Sequence, residues 1–328
     1  MHILLRGNIL LIKMLLICDA RYLLVQTRPE NTCYCGLAHR ETERISDDGG
    51  SPKHSPRPRI VGGGIAEVGE YPWFVRLEFP NGQCGGSLLN NEYVLTAAHC
   101  IKYGQLRVDV ILGDQKINFT TDARTVKIPN AKTRRKDAIH PEYDNNETEG
   151  QYDFALFKLA KKIIWKDYPN IRPICLPTDP DEEYVGRKAI VVGSGSNIKF
   201  DSATVKYAKE LVVKVANKTV CEAGTFYDDD NSQFLDSYLC VEPVVKGGHQ
   251  SACTGDSGGP LVATRSPQDD GVTPGQNYEL IGVASFLKNV GIVDCVRKDM
   301  VNYFGRVTTV LDWIEGIMKD SDPTCPRH

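Results

Sequence analysis

From Ile60 onward the chain is a succession of short apolar runs separated by turn-forming clusters, and this texture limits the fold more than any other feature. Runs rich in Val, Ile, Leu, Tyr and Phe cover 73–79, 93–97, 106–112, 154–159, 189–192, 211–215 and 280–284, with Gly, Asn, Asp and Pro between them. Many short strands at such spacing build a barrel or a sandwich, so an all-β fold is expected. One helix is expected at the end. Val310-Leu311, Trp313-Ile314 and Ile317-Met318 recur at helical spacing before Asp320-Ser321-Asp322-Pro323 stops the pattern. No repeat of fixed period runs through the sequence.

The 328 residues suffice for a substantial core or more than one. A net charge of −3 argues against a nucleic-acid binder, whose domain is usually basic. Eleven cysteines, scattered rather than paired at metal-ligand spacing, point to disulfides and an oxidising, extracellular compartment. The start supports export. Residues 9–18 are apolar except Lys13, Arg6 lies upstream, and small residues stand at Cys18 and Ala20, so 1–20 read as a signal peptide. The run is too short, and too interrupted by charge, for a membrane anchor. Residues 21–59 form a polar leader ending in Ser51-Pro-Lys-His-Ser-Pro-Arg-Pro-Arg59, expected to be exposed and extended. The folded domain is placed at 60–328.

Three segments hold the parts that acyl transfer by serine requires: a hydroxyl, a base for its proton, and a carboxylate to orient the base. Thr96-Ala97-Ala98-His99-Cys100 offers a histidine after an expected strand. Asp153-Phe154-Ala155-Leu156 offers an aspartate opening an apolar strand. Gly255-Asp256-Ser257-Gly258-Gly259-Pro260 offers a serine in a glycine-dense turn that lets backbone approach a ligand closely. Taken singly, each has a plainer explanation: a structural histidine, a turn aspartate, a glycine loop. Their order and flanks together point to one site.

With these motifs the sequence resembles the trypsin-like, chymotrypsin-fold serine proteases from Ile60 to about Met318. The resemblance implies two six-stranded β-barrels with the active site between them and a C-terminal helix. It makes His99 the general base and then acid, Asp153 its orienting carboxylate and Ser257 the nucleophile, with the amides of Gly255 and Ser257 as oxyanion hole. Arg59-Ile60-Val61-Gly62-Gly63 resembles the family's activation junction. Cleavage after Arg59 would free the Ile60 ammonium to pair with Asp256, turning a precursor into an enzyme. The expected partners are protein and peptide substrates, an activating trypsin-like protease and a protein inhibitor. A monomer without cofactor, metal, membrane or nucleic acid is expected. The Cys-x-Cys-Gly leader resembles secreted arthropod members.

The resemblance further implies the bridges Cys84–Cys100, Cys221–Cys240, Cys253–Cys295 and Cys35–Cys175, the last tying the leader to the protease. Either Cys33 or Cys35 could be the partner of Cys175, and with Cys35 there a Cys33–Cys325 bond is the hypothesis for the two that remain. One more family bridge is missing at both ends, with Ala189 and Ala263 at its positions. The specificity pocket departs from the trypsin pattern. Ser251 falls at its floor, or Gln250 if the longer loop shifts the register, and neither is acidic. Ser285-Phe286 aligns with the family's Ser-Trp strand, which counts Ser285 among the substrate-binding residues and puts Leu287 on one wall and Asn302 on the other, where glycines are usual, favouring a small aliphatic residue before the cut. Asp294, Asp299 and Glu242 are the nearby carboxylates that would restore basic specificity if one pointed inward. Asn118, Asn146 and Asn217 open glycosylation triplets. The competing expectation is a non-catalytic protease homologue serving as a binding or regulatory module.

Overall fold

The computed structural model describes residues 35–38, 64–66, 69–80, 82–101, 108–113, 126–131, 139–143, 151–195, 208–224, 236–244, 256–265, 277–287 and 301–321. They are mostly β. The first six-stranded sheet contains β2 (Phe74–Phe79), β3 (Gly82–Leu88), β4 (Tyr93–Thr96), β5 (Val108–Leu112), β6 (Val126–Ala131) and β7 (Ala155–Lys158). Their order is β6-β5-β2-β3-β4-β7, all antiparallel. The sheet curls, because Ile139, beyond β6, bridges Ala155 on the opposite edge strand.

The second sheet closes on itself. It is built from β8 (Lys188–Gly193), β9 (Lys209–Val215), β10 (Tyr238–Pro243), β11 (Pro260–Thr264), β12 (Tyr278–Leu287) and β13 (Asn302–Arg306). Pairing runs β9-β10-β13-β12-β11-β8, and β8 returns to β9. The short β1 (Gly64–Ile65) lies beside the start of β9. Two helices complete the described elements, α1 (Lys218–Gly224) and α2 (Leu311–Met318), the latter entered through a 3-10 turn at Val307–Val310. Among the described residues no helix is long and apolar enough to cross a membrane.

Alternation along the strands explains the packing. In β8, Ala189 and Val191 enter an apolar cluster with Leu211, Val213 and Leu261, while Ile190 and Val192 face a cluster shared with Val75, Leu95 and Phe154. Strand β8 thus presents one face to the barrel interior and the other to the first sheet, whereas Tyr238 and Cys240 of β10 and Tyr303 of β13 pack in a separate cluster with Cys221. Each such Val, Leu or Ile contributes roughly 1.5–3 kcal/mol on burial. Ala189 on β8 and Ala263 on β11, where the sequence lacks a cysteine at each end, are both buried next to the pair Val262↔Ile190.

One buried histidine ties α2 to the strand that follows Asp153. The His140 ring stacks on Tyr152 at 4.9 Å and meets Trp313 edge-on at 4.8 Å. Its backbone N–H donates to the Phe154 carbonyl, and its Nδ1 accepts the Glu142 N–H. Burial pushes its pKa below the ordinary histidine value, against the opposing pull of Glu142. A histidine whose folded pKa is lowered binds more protons unfolded, so stability is complete above the unfolded value near ~6.5 and declines as pH falls below it. Denaturant titrations between pH 5 and 8 should show this slope, and His140→Gln should flatten it. Equal slopes in both proteins would refute the assignment.

Candidate active site

Four elements converge where the two sheets meet. β4 ends at Thr96, and the chain turns through Ala98–Cys100, carrying His99. The Cys84–Cys100 bond pins this turn to β3. Asp153 precedes β7 and is 3% exposed. Its carboxylate accepts two hydrogen bonds from one residue: His99 Nδ1 to Oδ2 at 2.7 Å, and the His99 backbone N–H to Oδ1 at 2.8 Å. A third comes from the Ser285 hydroxyl on β12, 2.5 Å from Oδ2. Desolvation alone would raise the Asp153 pKa, but the His99 ring, then the hydrogen bonds from His99 and Ser285, outweigh it and hold the carboxyl below its usual range. An ionised carboxylate at Nδ1 fixes that nitrogen as the proton donor, leaving Nε2 as the basic one. The ring is about one-third exposed, with Nε2 3.8 Å from the Cys100 Sγ.

Ser257 sits in the turn between Asp256 and Gly259, clamped by both sheets. The Gly85 N–H of β3 donates to the Ser257 carbonyl at 2.7 Å, and the Gly258 N–H donates to Ala284 of β12 at 2.7 Å. Gly258 adopts φ +76°, and a Cβ there would stand 2.1 Å from Thr96 Oγ1 and 3.1 Å from the Ala97 nitrogen. Only glycine fits, and this close approach lays the serine turn against the segment leading into His99. The Thr96 hydroxyl in turn donates to the Gly85 carbonyl at 2.7 Å.

Asp256 points the other way, into the barrel. It is buried, and its Oδ1 accepts the Gly195 N–H at 2.7 Å. The sequence offered a signal for this cradle in Gly193-Ser194-Gly195, directly after the run 189–192, since glycines ending a strand often mark close backbone approach. Cys84, His99 and Cys100 also place ligand-type atoms within 4.8 Å of one another, but the two sulfurs are already bonded together and offer no thiolate.

A family model described as Trypsin matches residues 60–314. The chain belongs to the trypsin family. Among curated relatives, phenoloxidase-activating factor 1 of Holotrichia diomphalia is 30% identical over 85% of this chain and 75% of its own length. Serine protease filzig of Drosophila melanogaster is 30% identical over 83% of this chain, but that match spans only 15% of filzig. The phenoloxidase-activating enzyme of Bombyx mori is 30% identical over 80% of this chain and 61% of its own length. The trypsin family makes the chain a serine-protease relative.

Other residues singled out in the sequence fall as follows. Leu287 pairs with Asn302 across β12 and β13, so the two wall positions stand opposite one another, and Asn302 is buried. Glu242 pairs with Lys214 at 2.7 Å. The bonds Cys35–Cys175 and Cys221–Cys240 are present with Cα separations of 4.8 and 5.7 Å. Asn217 is exposed and opens α1, its Oδ1 accepting the Val220 N–H at 3.0 Å, which leaves the side-chain amide nitrogen outside the cap. Arg59, Ile60, Asn118, Asn146, Gln250, Ser251, Cys253, Gly255, Asp294, Cys295, Asp299 and the pair Cys33 and Cys325 lie outside the described residues. The trypsin-family motif did not itself announce the Ser285 contact with Asp153; the sequence placed Ser285 only on the pocket wall.

Proposed function

We propose that this chain is a secreted serine endopeptidase, made with a signal peptide at 1–20 and a leader at 21–59, and activated by cleavage after Arg59. The observation that carries the reading is the doubly hydrogen-bonded His99–Asp153 pair beside the clamped Ser257 turn. Ser257 attacks the scissile carbonyl while His99 Nε2 takes its proton. The imidazolium so formed is stabilised by Asp153 and then protonates the leaving amine, and water regenerates the serine by the reverse proton path. The Gly255 and Ser257 amides receive the oxyanion. The freed Ile60 ammonium pairs with the buried Asp256 carboxylate and shapes that loop. Cys35–Cys175 keeps the cleaved leader attached. The activator is a trypsin-like protease acting at Arg59, and relatives named for activating phenoloxidase favour limited cleavage of another protein over general digestion.

The pocket takes a small aliphatic residue before the cut. Leucine and asparagine stand at opposed wall positions where the family usually has glycine, the floor residue is Ser251 or Gln250, and Glu242 is engaged with Lys214. Activated protein should cleave Ala- and Val-ending chromogenic peptides at least about ten-fold faster than Arg-ending ones, the difference an unpaired buried guanidinium imposes. Fastest cleavage after Arg would overturn the pocket assignment. Failure to label with a fluorophosphonate after activation would instead favour the non-catalytic homologue.

A further inference from the structure

In β9 the residues alternate between core-facing and half-exposed, and the core-facing set is Lys209, Leu211, Val213 and Val215. Three are apolar and the first is a lysine, 7% exposed. An ammonium placed so deep requires partners, because desolvating a charge without them is strongly unfavourable. Its position shows what it serves. Lys209 pairs with Ile65 of β1 on one side and with Gly193 of β8 on the other. It therefore lies between the strand that follows the activation junction and the glycine segment around Asp256.

The Lys209 Nζ donates to the Gly195 carbonyl at 2.8 Å, while the Gly195 N–H donates to Asp256 Oδ1 at 2.7 Å. Both charged side chains thus grip one residue by its two backbone groups. Gln83 of β3 adds a third hold, donating to the Ser194 carbonyl at 3.1 Å. Charge-assisted bonds of this kind are about twice as strong as neutral ones, and here one of them fixes the peptide that orients a carboxylate one residue from Ser257.

We propose that Lys209 is a positioning residue for the nucleophile turn: it clamps Gly195 against Asp256 and so holds Asp256 in the orientation that the Ile60 ammonium completes. The proposal rests on the reading of Ser257 as nucleophile and Asp256 as the partner of Ile60. It touches no substrate and acts through Asp256, so the binding of substrate to the pocket is spared.

The test compares Lys209→Met, Lys209→Arg and Lys209→Gln in the full chain after cleavage at Arg59. Each is scored for kcat and KM on a peptide ester, thermal unfolding, and the rate at which cyanate carbamylates the Ile60 α-amine. Lys209→Met should lower kcat about 30-fold with KM within two-fold of wild type, a loss below that of a whole oxyanion donor. Cyanate should reach Ile60 about ten-fold faster, one decade of weakened pairing. Lys209→Arg, which keeps the charge, should recover most of the kcat. Wild-type kcat in Lys209→Met overturns the proposal. So does a kcat loss that tracks the unfolding temperature without faster carbamylation or rescue by arginine, since Lys209 is then only structural. Should Lys209→Met not fold, Lys209→Gln carries the comparison, and wild-type kcat there overturns it. Asp256→Asn run in parallel separates the underlying reading, because undiminished kcat in that variant would sink the role of Asp256 itself.

Discussion

Ser257→Ala should lower kcat about a million-fold, the loss seen when a triad nucleophile is removed from an otherwise intact site. Little else should change. The turn is held by backbone groups that alanine keeps: the Ser257 carbonyl accepting from Gly85, the Gly258 N–H donating to Ala284, and the Gly259 N–H donating to the Asp256 carbonyl. The side chain is only partly buried, so removing one oxygen opens no cavity. The His99–Asp153 pair does not involve the deleted atom. Unfolding temperature should therefore stay within about 2 °C, less than 1 kcal/mol for a chain of this size. Fluorophosphonate labelling should vanish while peptide binding persists. Peptide cleavage by the activated variant at more than about one per cent of the wild-type rate would mean that another group supplies the nucleophile, since non-covalent assistance alone leaves far less.

How far this site was readable in the sequence depends on what each residue needs from its neighbours in the chain. The local settings of His99, Asp153 and Ser257 were legible because their flanks repeat local requirements: a small-residue turn after β4, an apolar strand after the aspartate, glycines around the serine. The strand 211–215 was legible from its apolar residues, and α2 from its helical spacing. β3 was not, because GQCGGSL is poor in the residues that favour strands. Its glycines answer a contact remote in sequence: a Cβ on Gly85 would stand 2.7 Å from Gly259 Cα. Helix α1 escaped notice for a similar reason. It has seven residues, and its Asn217 cap and Cys221–Cys240 bond come from outside any apolar period. Ser285 and Lys209 are the instructive cases. One reaches a carboxylate 132 positions away, and the other extends a core-facing series with a charge whose acceptor, the Gly195 carbonyl, lies just past the end of another strand. Hydrogen bonds of that range leave no periodic trace.

Gly193→Ala, the addition of one methyl group at the end of β8, should cost nearly as much activity as losing an oxyanion donor. The added Cβ would stand 2.0 Å from Asp256 Oδ1 and 2.7 Å from its Cγ, well inside contact distance. Something must move, and β8 has little freedom. Val192 and Gly193 pair with Glu210 and Lys209, and the strand continues in register back to Lys188↔Lys214. The carboxylate is the part that yields. Turning it away breaks the Gly195 hydrogen bond and leaves a buried acid with fewer partners, adjacent to Ser257. Overpacking of this kind destabilises by roughly 1–3 kcal/mol. The displaced turn should lower kcat on the order of 100- to 1000-fold, as misplacement of an oxyanion donor does. Gly316→Ala supplies the contrast. It lies exposed in α2 with nothing within 4 Å of an added Cβ. That variant should keep full activity and gain up to about 1 kcal/mol from helix propensity. If Gly193→Ala kept wild-type kcat, the Asp256 cradle would have no part in shaping the serine turn, and the barrel side of the site would be mere scaffold.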